Sequence, residues 1–432
     1  MKIKELFQSS FAKNVAMISG STAFAQLLNA LFSPVITRIY SPEEYGILTV
    51  YTSILGLIVI VASLKYEWGI PIAENDEKAI NVMGLSFFVL LHFVILVFVV
   101  FYFFGEPILT LLDATVLLNY RYLIPVGVLF GGSYSIFLQW AYRNKDFKSI
   151  SKTKLTQSIA GNGVKVGLGL FGVGPIGLVF GQIFKEGAGI GTLSRSFRKK
   201  DKHLLKKINK KEILWGAKRY KNFPIFSAPS QLLNTAGVQL PVFFITSLYG
   251  SQVLGLYGLA NSIVNLPMVL IGQSVGDVFY GEAASVGREN PKRVKDLSNK
   301  LFKRLVVIGL IPLLALLFFG PFLFSLVFGS QWYEAGVYAK ILAFLVFARF
   351  IFTPISRIFS VFERQREAFV LDLFRVALVF VAFGISSFLG FSSYGAVGLY
   401  SIAMSIVYLV TYLLAQKILN DEIKKREVSE KN

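Results

Sequence analysis

The chain has 432 residues, 54% of them hydrophobic and 16% charged, with a formal net charge of +19, no cysteine and two histidines, His92 and His203. A soluble globular chain carries about 25% charged residues, so composition overrules the two or three soluble domains that the length would allow. The lack of cysteine excludes disulfides, thiol nucleophiles and thiolate metal sites, and two histidines give no basis for a histidine-rich metal centre.

Apolar runs of roughly twenty residues recur from end to end, each long enough to cross a ~30 Å hydrocarbon core. The first, 14–36, follows MKIKELFQSSFAK. It is too long for the apolar region of a signal peptide and has many successors, so it reads as a retained membrane helix. The pattern then predicts helices at 45–65, 80–104, 119–141, 155–173, 175–195, 223–247, 254–280, 303–327, 336–359, 369–389 and 395–417. The basic residues test that count. With the N-terminus inside, 37 of the 44 Lys and Arg fall in inward segments, two (Arg38 and Arg121) in outward loops and five within helices. Such a bias, alternating in register, is the positive-inside pattern, and one missed or extra helix would scramble it. The expected product is an all-α polytopic membrane protein of twelve transmembrane helices with both termini cytoplasmic. Its N-terminal six-helix lobe is 1–197, its basic cytoplasmic linker 198–221, its C-terminal six-helix lobe 222–418 and its cytoplasmic tail 419–432.

The tryptophans at 68, 140, 215 and 332 all lie at predicted helix ends, as an aromatic belt would place them. The midpoint RKKDKHLLKKINKK (198–211) could bind nucleic acid or anionic lipid, but a linker held inside by its charge is the favoured reading. An internal repeat spans that midpoint. ITRIYSPEEYGILTVYTSI (36–54) aligns without gaps to ITSLYGSQVLGLYGLANSI (245–263), matching Ile36/Ile245, Thr37/Thr246, Tyr40/Tyr249, Gly46/Gly255, Ser53/Ser262 and Ile54/Ile263. The offset is close to half the chain and pairs the helix 1–2 junction with the helix 7–8 junction. Both first helices run outward, so the two lobes are expected to be parallel repeats about an axis along the membrane normal, with a substrate site at their interface.

An ionisable group at bilayer depth costs about 2.5–3.5 kcal/mol on insertion scales and usually faces a wet cavity or a partner. The deep basic residues are Lys165, Lys185, Arg349 and Arg375; the deep acids are Glu186 and Asp372. Lys165 and Arg349 have no acid within four residues, and Arg357 lies two turns below Arg349 on the same face. Asp372 and Arg375, three apart, can pair locally. Adjacent Lys185 and Glu186 do not face each other. A lumen of this sign suits an anion, and a guanidinium suits phosphate through bidentate contacts. Gln26, Asn29 and Ser33 form a polar stripe on helix 1, and Asn234, Gln239, Asn261, Asn265 and Gln273 stripe helices 7 and 8. Each alone reads as interhelical glue; together they fit a hydrophilic cavity. Gly163/Gly167 and Gly177/Gly181 read as close helix packing. Glu67 and Asp277 lie near cytoplasmic helix ends, where snorkelling or a surface ion pair is the default. Signatures of nucleotide-binding loops, nucleophile elbows and zinc sites are missing, which argues against an enzyme.

ITRIYSPEEYGILTVYTSILGLI, SLKYEWGIPIAENDEKAINV (63–82), WAYRNKDFKSIS (140–151) and the long block from YKNFPIFSAPSQLLNTAGVQ to VFYGEAA (220–284) resemble bacterial polysaccharide flippases. These are the Wzx-type O-antigen and exopolysaccharide exporters of the multidrug/oligosaccharidyl-lipid/polysaccharide superfamily. The resemblance, which covers nearly the whole chain, implies two six-helix lobes around a cationic cavity, cycling between inward-facing and outward-facing states in the plasma membrane. It implies an oligosaccharide on a polyprenyl pyrophosphate as substrate, lipid as surroundings, no nucleic acid, and a polysaccharide polymerase as a candidate partner. By depth, contact with substrate falls to Lys165, Lys185, Arg349 and Arg375, joined by Arg357, Asn29 and Gln26. Lys65-Tyr66-Glu67 matches a family motif directly, so Glu67, with Asp277, is a candidate for proton or sodium-ion coupling. No other cofactor is expected. The rival readings are a multidrug exporter of the same superfamily, disfavoured because helix 1 has no carboxylate; a lipid II flippase, which typically has two more helices; a membrane-embedded glycan-assembly enzyme; and a scaffold.

Overall fold

The computed structural model describes residues 10–286 and 290–429. The expectations for the basic N-terminal segment and for Arg288 lie outside the described residues or side chains. Among the described residues the chain is helical from end to end and has no strand. The helices are α1 (Ser10–Ile39), α2 (Pro42–Val59), α3 (Asp76–Leu111), α4 (Leu123–Arg143), α5 (Phe147–Leu170), α6 (Pro175–Lys200) and α7 (Lys210–Arg219). They continue as α8 (Ala228–Val264), α9 (Gln273–Val286), α10 (Pro291–Phe328), α11 (Tyr333–Ile355), the single turn α12 (Ile358–Val361), α13 (Gln365–Phe388) and α14 (Ser393–Ser429). Each predicted helix falls on one of these, with 223–247 and 254–280 lying on a nearly unbroken helical stretch.

Seven helical stretches among the described residues are long and apolar enough to cross a membrane. Their surfaces settle what surrounds them. On α10, Val307, Ile311, Leu314, Phe318, Phe322 and Leu326 recur every third or fourth residue and are all exposed, as are Leu91, Ile95, Phe98 and Tyr102 on α3. A contiguous exposed stripe of that size is stable only against hydrocarbon, and a helix is a form in which backbone polar groups can be satisfied there. The protein is an all-α polytopic membrane protein.

The chain forms two compact units, one ending at Gly255 and one beginning at Leu256. In the first, α5 packs along both α6 and α1, and α4 along α6 and α3. The α1–α2 junction is a sequence-encoded break. Ser41 Oγ accepts from Glu44 N (3.2 Å) while Glu44 Oε2 accepts from Ser41 N (2.8 Å), and Pro42 opens α2; this is a capping box. The repeat-related position in α8 is Gly250, whose backbone leaves the helical region (φ 85°, ψ 172°). Glycine has no side chain with which to cap the helix that follows. Asp113, in the α3–α4 loop, does so instead, its Oδ2 accepting from Ser251 N at 2.7 Å, while Thr246 Oγ1 donates to Leu112 O.

The repeat also meets itself. A methyl group on Gly46 would run into Ser251 O, and one on Gly255 into Pro42 O. The repeat relates Gly46 to Gly255 and Pro42 to Ser251, so each contact is the repeat-related image of the other; α2 and this part of α8 cross at a local two-fold, where only glycine lets the backbones approach. On α5 and α6 the glycine expectation is half corrected. Gly177 and Gly181 are close-packed, but a Cβ at Gly163 or Gly167 meets nothing within 4 Å; Gly161 makes the contact with Gly181 instead. The four glycines of α5 are indistinguishable by spacing, and only the face turned to α6 sorts them.

A further expectation is corrected. Trp140 is 3% exposed and donates from Nε1 to Asp201 Oδ2 (2.8 Å), and Trp332 is fully buried; both fill protein core rather than a membrane interface. The basic midpoint is also held against α3. Asn81 on α3 donates to Lys207 O and accepts from Asn209 N, Lys207 pairs with Glu77, and Ile208 and Ile213 lie over Gly84. In the α4–α5 loop, Asp146 caps α5 through Ser149 N (3.2 Å). Burial alone would push its carboxyl up, but Ser196, Ser149 and Lys200 outweigh burial and hold it below the usual carboxylate range.

In the second unit α11 packs against α10 and α14, and α13 against α14. Phe279, Ala283, Ile355, Ile358, Leu371, Ile418 and Leu419 make a buried core at one end.

Candidate functional site

In the second unit the end of α11 and the turn that follows it carry a row of polar side chains four residues apart: Arg349 and Thr353 on α11 and Arg357 just beyond it. They line a cavity of about 240 Å³ together with Asn265, Met268, Val269, Gly272, Gln273, Gly276 and Pro354. Two local features open it. Met268–Gly272 is a π-turn, a widened turn frequent at functional sites, and Gly272 and Gly276 present no side chain to the space. Arg349 Nη1 donates to Asn265 Oδ1 at 3.2 Å, and Asn265 is itself held by Nδ2 donating to Asn261 O and Oδ1 (2.7 and 2.8 Å). Arg349 also faces the hydrogen-bonded pair Tyr257–Tyr400 and makes no ion pair among the described residues. Thr353 Oγ1 is buried without a hydrogen-bond partner. Arg357, half exposed, pairs with Asp277 Oδ1 at 3.1 Å. Two guanidinium groups therefore line the cavity, only one of them ion-paired, beside a buried unsatisfied hydroxyl. In a low-dielectric setting an unpaired charge is expensive, and this set of donors would be satisfied by an anion.

Sequence reasoning placed Arg349 and Arg357 on one face, and Asn265 and Gln273 in the helix 8 stripe; the structure brings all four to the cavity. Thr353 was missed, although its position four residues from both arginines was the available signal. Arg375 lies elsewhere, donating from Nη1 to Asp372 Oδ1 (2.9 Å) and stacking over Tyr408, as its spacing foretold.

The first unit holds a second basic cluster. Lys165 and Lys185 lie on the packed faces of α5 and α6, Lys165 against Gly181 and Lys185 against Gly161. Their charges repel, and neither Nζ has an ion-pair or hydrogen-bond partner among the described residues. Asn29 on α1 accepts from Ser158 Oγ and Asn162 Nδ2 of α5, both at 2.7 Å, and donates to Gln26 Oε1 at 3.4 Å. That geometry is interhelical glue, the reading favoured for any single residue of the stripe.

The coupling candidates part company. Asp277 is largely exposed and ion-paired. Glu67, expected at the surface, is 3% exposed. Leu64 and Lys65 both adopt left-handed backbone (φ 49° and 63°), reversing the chain after α2 so that Ser63 Oγ donates to Glu67 Oε2 (2.6 Å) with Lys65 Nζ 3.7 Å from Oε1. Sequence periodicity does not report such a reversal.

Comparison with known proteins adds a family. The family model described as polysaccharide biosynthesis protein matches residues 35–337. The teichuronic acid biosynthesis protein TuaB of Bacillus subtilis is 26% identical over 211 residues, covering 49% of this chain and 42% of that protein. The succinoglycan biosynthesis transport protein ExoT of Rhizobium meliloti is 22% identical over 340 residues, 75% of this chain and 63% of that protein. The chain thus spans less than two thirds of the length of these curated relatives. Among solved structures, an inward-facing multidrug resistance MATE family transporter of the MOP superfamily superposes with TM-score 0.76 at 15% identity, covering 95% of this chain and 99% of the other. The lipid II flippase MurJ in an inward closed conformation superposes with TM-score 0.73 at 16% identity, covering 93% and 87%. At such identities the likeness is one of fold.

Proposed function

The chain belongs to the polysaccharide biosynthesis protein family, and from that premise we propose that it is a flippase for a polyprenyl-pyrophosphate-linked oligosaccharide. It moves the head group from the cytoplasmic to the outer leaflet of the plasma membrane for assembly of a surface polysaccharide such as O-antigen. The observation that carries this reading is the cavity at Arg349, Thr353 and Arg357. Two guanidinium forks and a free hydroxyl are the donors that a diphosphate accepts from. Relatives named for polysaccharide biosynthesis and transport, and a lipid II flippase of the same fold, support it.

In this reading twelve spans form two six-helix lobes, 1–197 and 222–418, with both termini cytoplasmic, and the lobes alternate access to the substrate. The lipid tail stays in the bilayer while the anionic head crosses. A unit charge moving through the field exchanges about 2.3 kcal/mol per 100 mV, so export of an anion from a negative cytoplasm is downhill without a nucleotide site, and no bond in the substrate is made or broken. Lys165, Lys185, Arg375, Gln26 and Asn29 remain candidate substrate contacts, with Glu67 and Asp277 as coupling candidates and a polymerase as a downstream partner. The MATE likeness supports a second reading, drug export, but fold alone does not set cargo.

The test is a strain lacking this protein. Its lipid extract is expected to accumulate a polyprenyl-pyrophosphate oligosaccharide, inaccessible from outside, while the surface polymer disappears. Normal polymer without accumulation would overturn the flippase reading in favour of the drug exporter.

A further inference from the structure

α7 has two sides with different surroundings. Asn209 caps its first turn, Oδ1 accepting from Glu212 N at 2.9 Å. One side is spent on α3: Ile213 lies over Gly84, and the buried Gly216 leaves room for Val82 and Leu85. Asn81 fixes the approach, its Nδ2 donating to Lys207 O at 3.1 Å and its Oδ1 accepting from Asn209 N at 2.9 Å. The Lys78 ammonium sits 4.2 Å from the centre of the Trp215 ring.

The face of α3 under α7 is the face that meets hydrocarbon further along. Residues three and four apart share a helix face, so Asn81, Gly84 and Leu85 run on into Phe88, Leu91 and Ile95. Asn81 and Leu85 are buried, whereas Phe88, Leu91 and Ile95 are 57%, 51% and 61% exposed. At the α-helical rise, hydrocarbon contact begins about 6 Å beyond Gly84. α7 therefore meets α3 at the level where head groups replace acyl chains.

Away from α3, α7 presents Lys210, Leu214 and Lys218 at a spacing of four, with Lys211 beside them. All four are exposed, Leu214 by 53%, and none of the three lysines is ion-paired among the described residues. An exposed leucine flanked by lysines suits a helix lying in a membrane interface. The aliphatic side chain enters the acyl boundary while the lysine stems snorkel to the phosphates. A nucleic acid would use the lysines and leave Leu214 in water. The local charge has the right sign for an anionic surface: across 198–221 eleven Lys and Arg stand against Asp201 and Glu212, and Asp201 is already held by Trp140 and Asn144.

We infer that the outer face of α7 is a docking surface for anionic phospholipid of the adjoining leaflet, with Leu214 in the acyl boundary and Lys210, Lys211 and Lys218 on head-group phosphates. The leaflet thereby holds the segment that joins α6 to α8. Cargo plays no part in this contact, so it stands whether or not the flippase reading does.

The chain has no cysteine, so Leu214→Cys can carry a single bimane fluorophore in the full-length protein in nanodiscs. The discs contain a small, equal mole fraction of nitroxide-labelled phosphatidylglycerol or phosphatidylcholine, and quenching reports which lipid gathers at position 214. Phosphatidylglycerol is expected to quench about threefold or more as strongly as phosphatidylcholine, since each lysine near an anionic surface is worth about fivefold in binding. Adding Lys210→Gln, Lys211→Gln and Lys218→Gln should bring the ratio to about one. Equal quenching by the two lipids in the protein with its lysines intact overturns the proposal, as does a ratio that the three glutamines leave unchanged. Quenching by neither lipid overturns it too, because α7 then lies in water. If the triple variant does not fold, salt takes its place: raising it must lower the ratio, because it screens lysine–phosphate attraction, and a ratio indifferent to salt overturns the proposal.

Discussion

Thr353 is the residue whose chemistry is least compatible with a structural role. A buried hydroxyl left without a partner costs about 1–3 kcal/mol, yet Thr353, which lines the cavity with Arg349 and Arg357, has its Oγ1 in that state. Valine has nearly the same shape without the oxygen. Thr353→Val is therefore expected to hold or raise the melting temperature while weakening farnesyl diphosphate binding about threefold to tenfold, the worth of one net hydrogen bond. A drop in melting temperature with unchanged binding would show that the hydroxyl serves the fold. Asn29 lies at the opposite pole. Its carbonyl is already taken twice, by Ser158 and Asn162, so what it can offer a sugar is limited to its amide nitrogen. Both are polar residues on membrane helices and look alike in sequence; satisfaction of the hydrogen bonds separates them.

At the scale of elements, the glycine positions make opposing forecasts. Glycine-to-alanine in an exposed helix interior is worth about 1 kcal/mol of stabilisation. At Gly46 and Gly255 the new methyl would strike the Ser251 and Pro42 carbonyl oxygens, which belong to backbone and cannot swing aside. Gly46→Ala and Gly255→Ala should each lower stability by about 1–3 kcal/mol, as overpacking does, whereas Gly163→Ala and Gly167→Ala should be neutral or stabilising. Thermal melts of the four variants in one detergent check this, and a uniform response would refute the helix crossing. The repeat in sequence named the right pair of glycines, because an offset preserved across two halves marks positions with the same constraint. It could not say that the pair touches, since contact depends on how α2 and α8 cross. The α3–α4 loop teaches the converse. Asp113 is chemically unremarkable in sequence, and only its distance to Ser251 N reveals it as the cap that Gly250 lacks.

For the whole molecule, the forecast is orientation. The chain has no cysteine, so single cysteines can be placed without background. Ser392→Cys, in the exposed α13–α14 turn, should react with an impermeant maleimide in intact cells; Lys206→Cys, in the exposed basic midpoint, should react only after permeabilisation. The reverse pattern would sink the positive-inside assignment. The helices, their order and their membrane setting were legible in the sequence because hydropathy and the asymmetry of Lys and Arg act locally, segment by segment, against a solvent of fixed thickness. The same locality made Arg349 and Arg357 legible as one face. What only the tertiary structure decided was pairing: that Trp140 and Trp332 fill core, that Glu67 folds back under Ser63 and Lys65, and that the basic midpoint docks on α3. Those outcomes depend on which groups from distant parts of the chain arrive within hydrogen-bond reach, a quantity that falls off over an ångström and leaves no periodic trace in the order of residues.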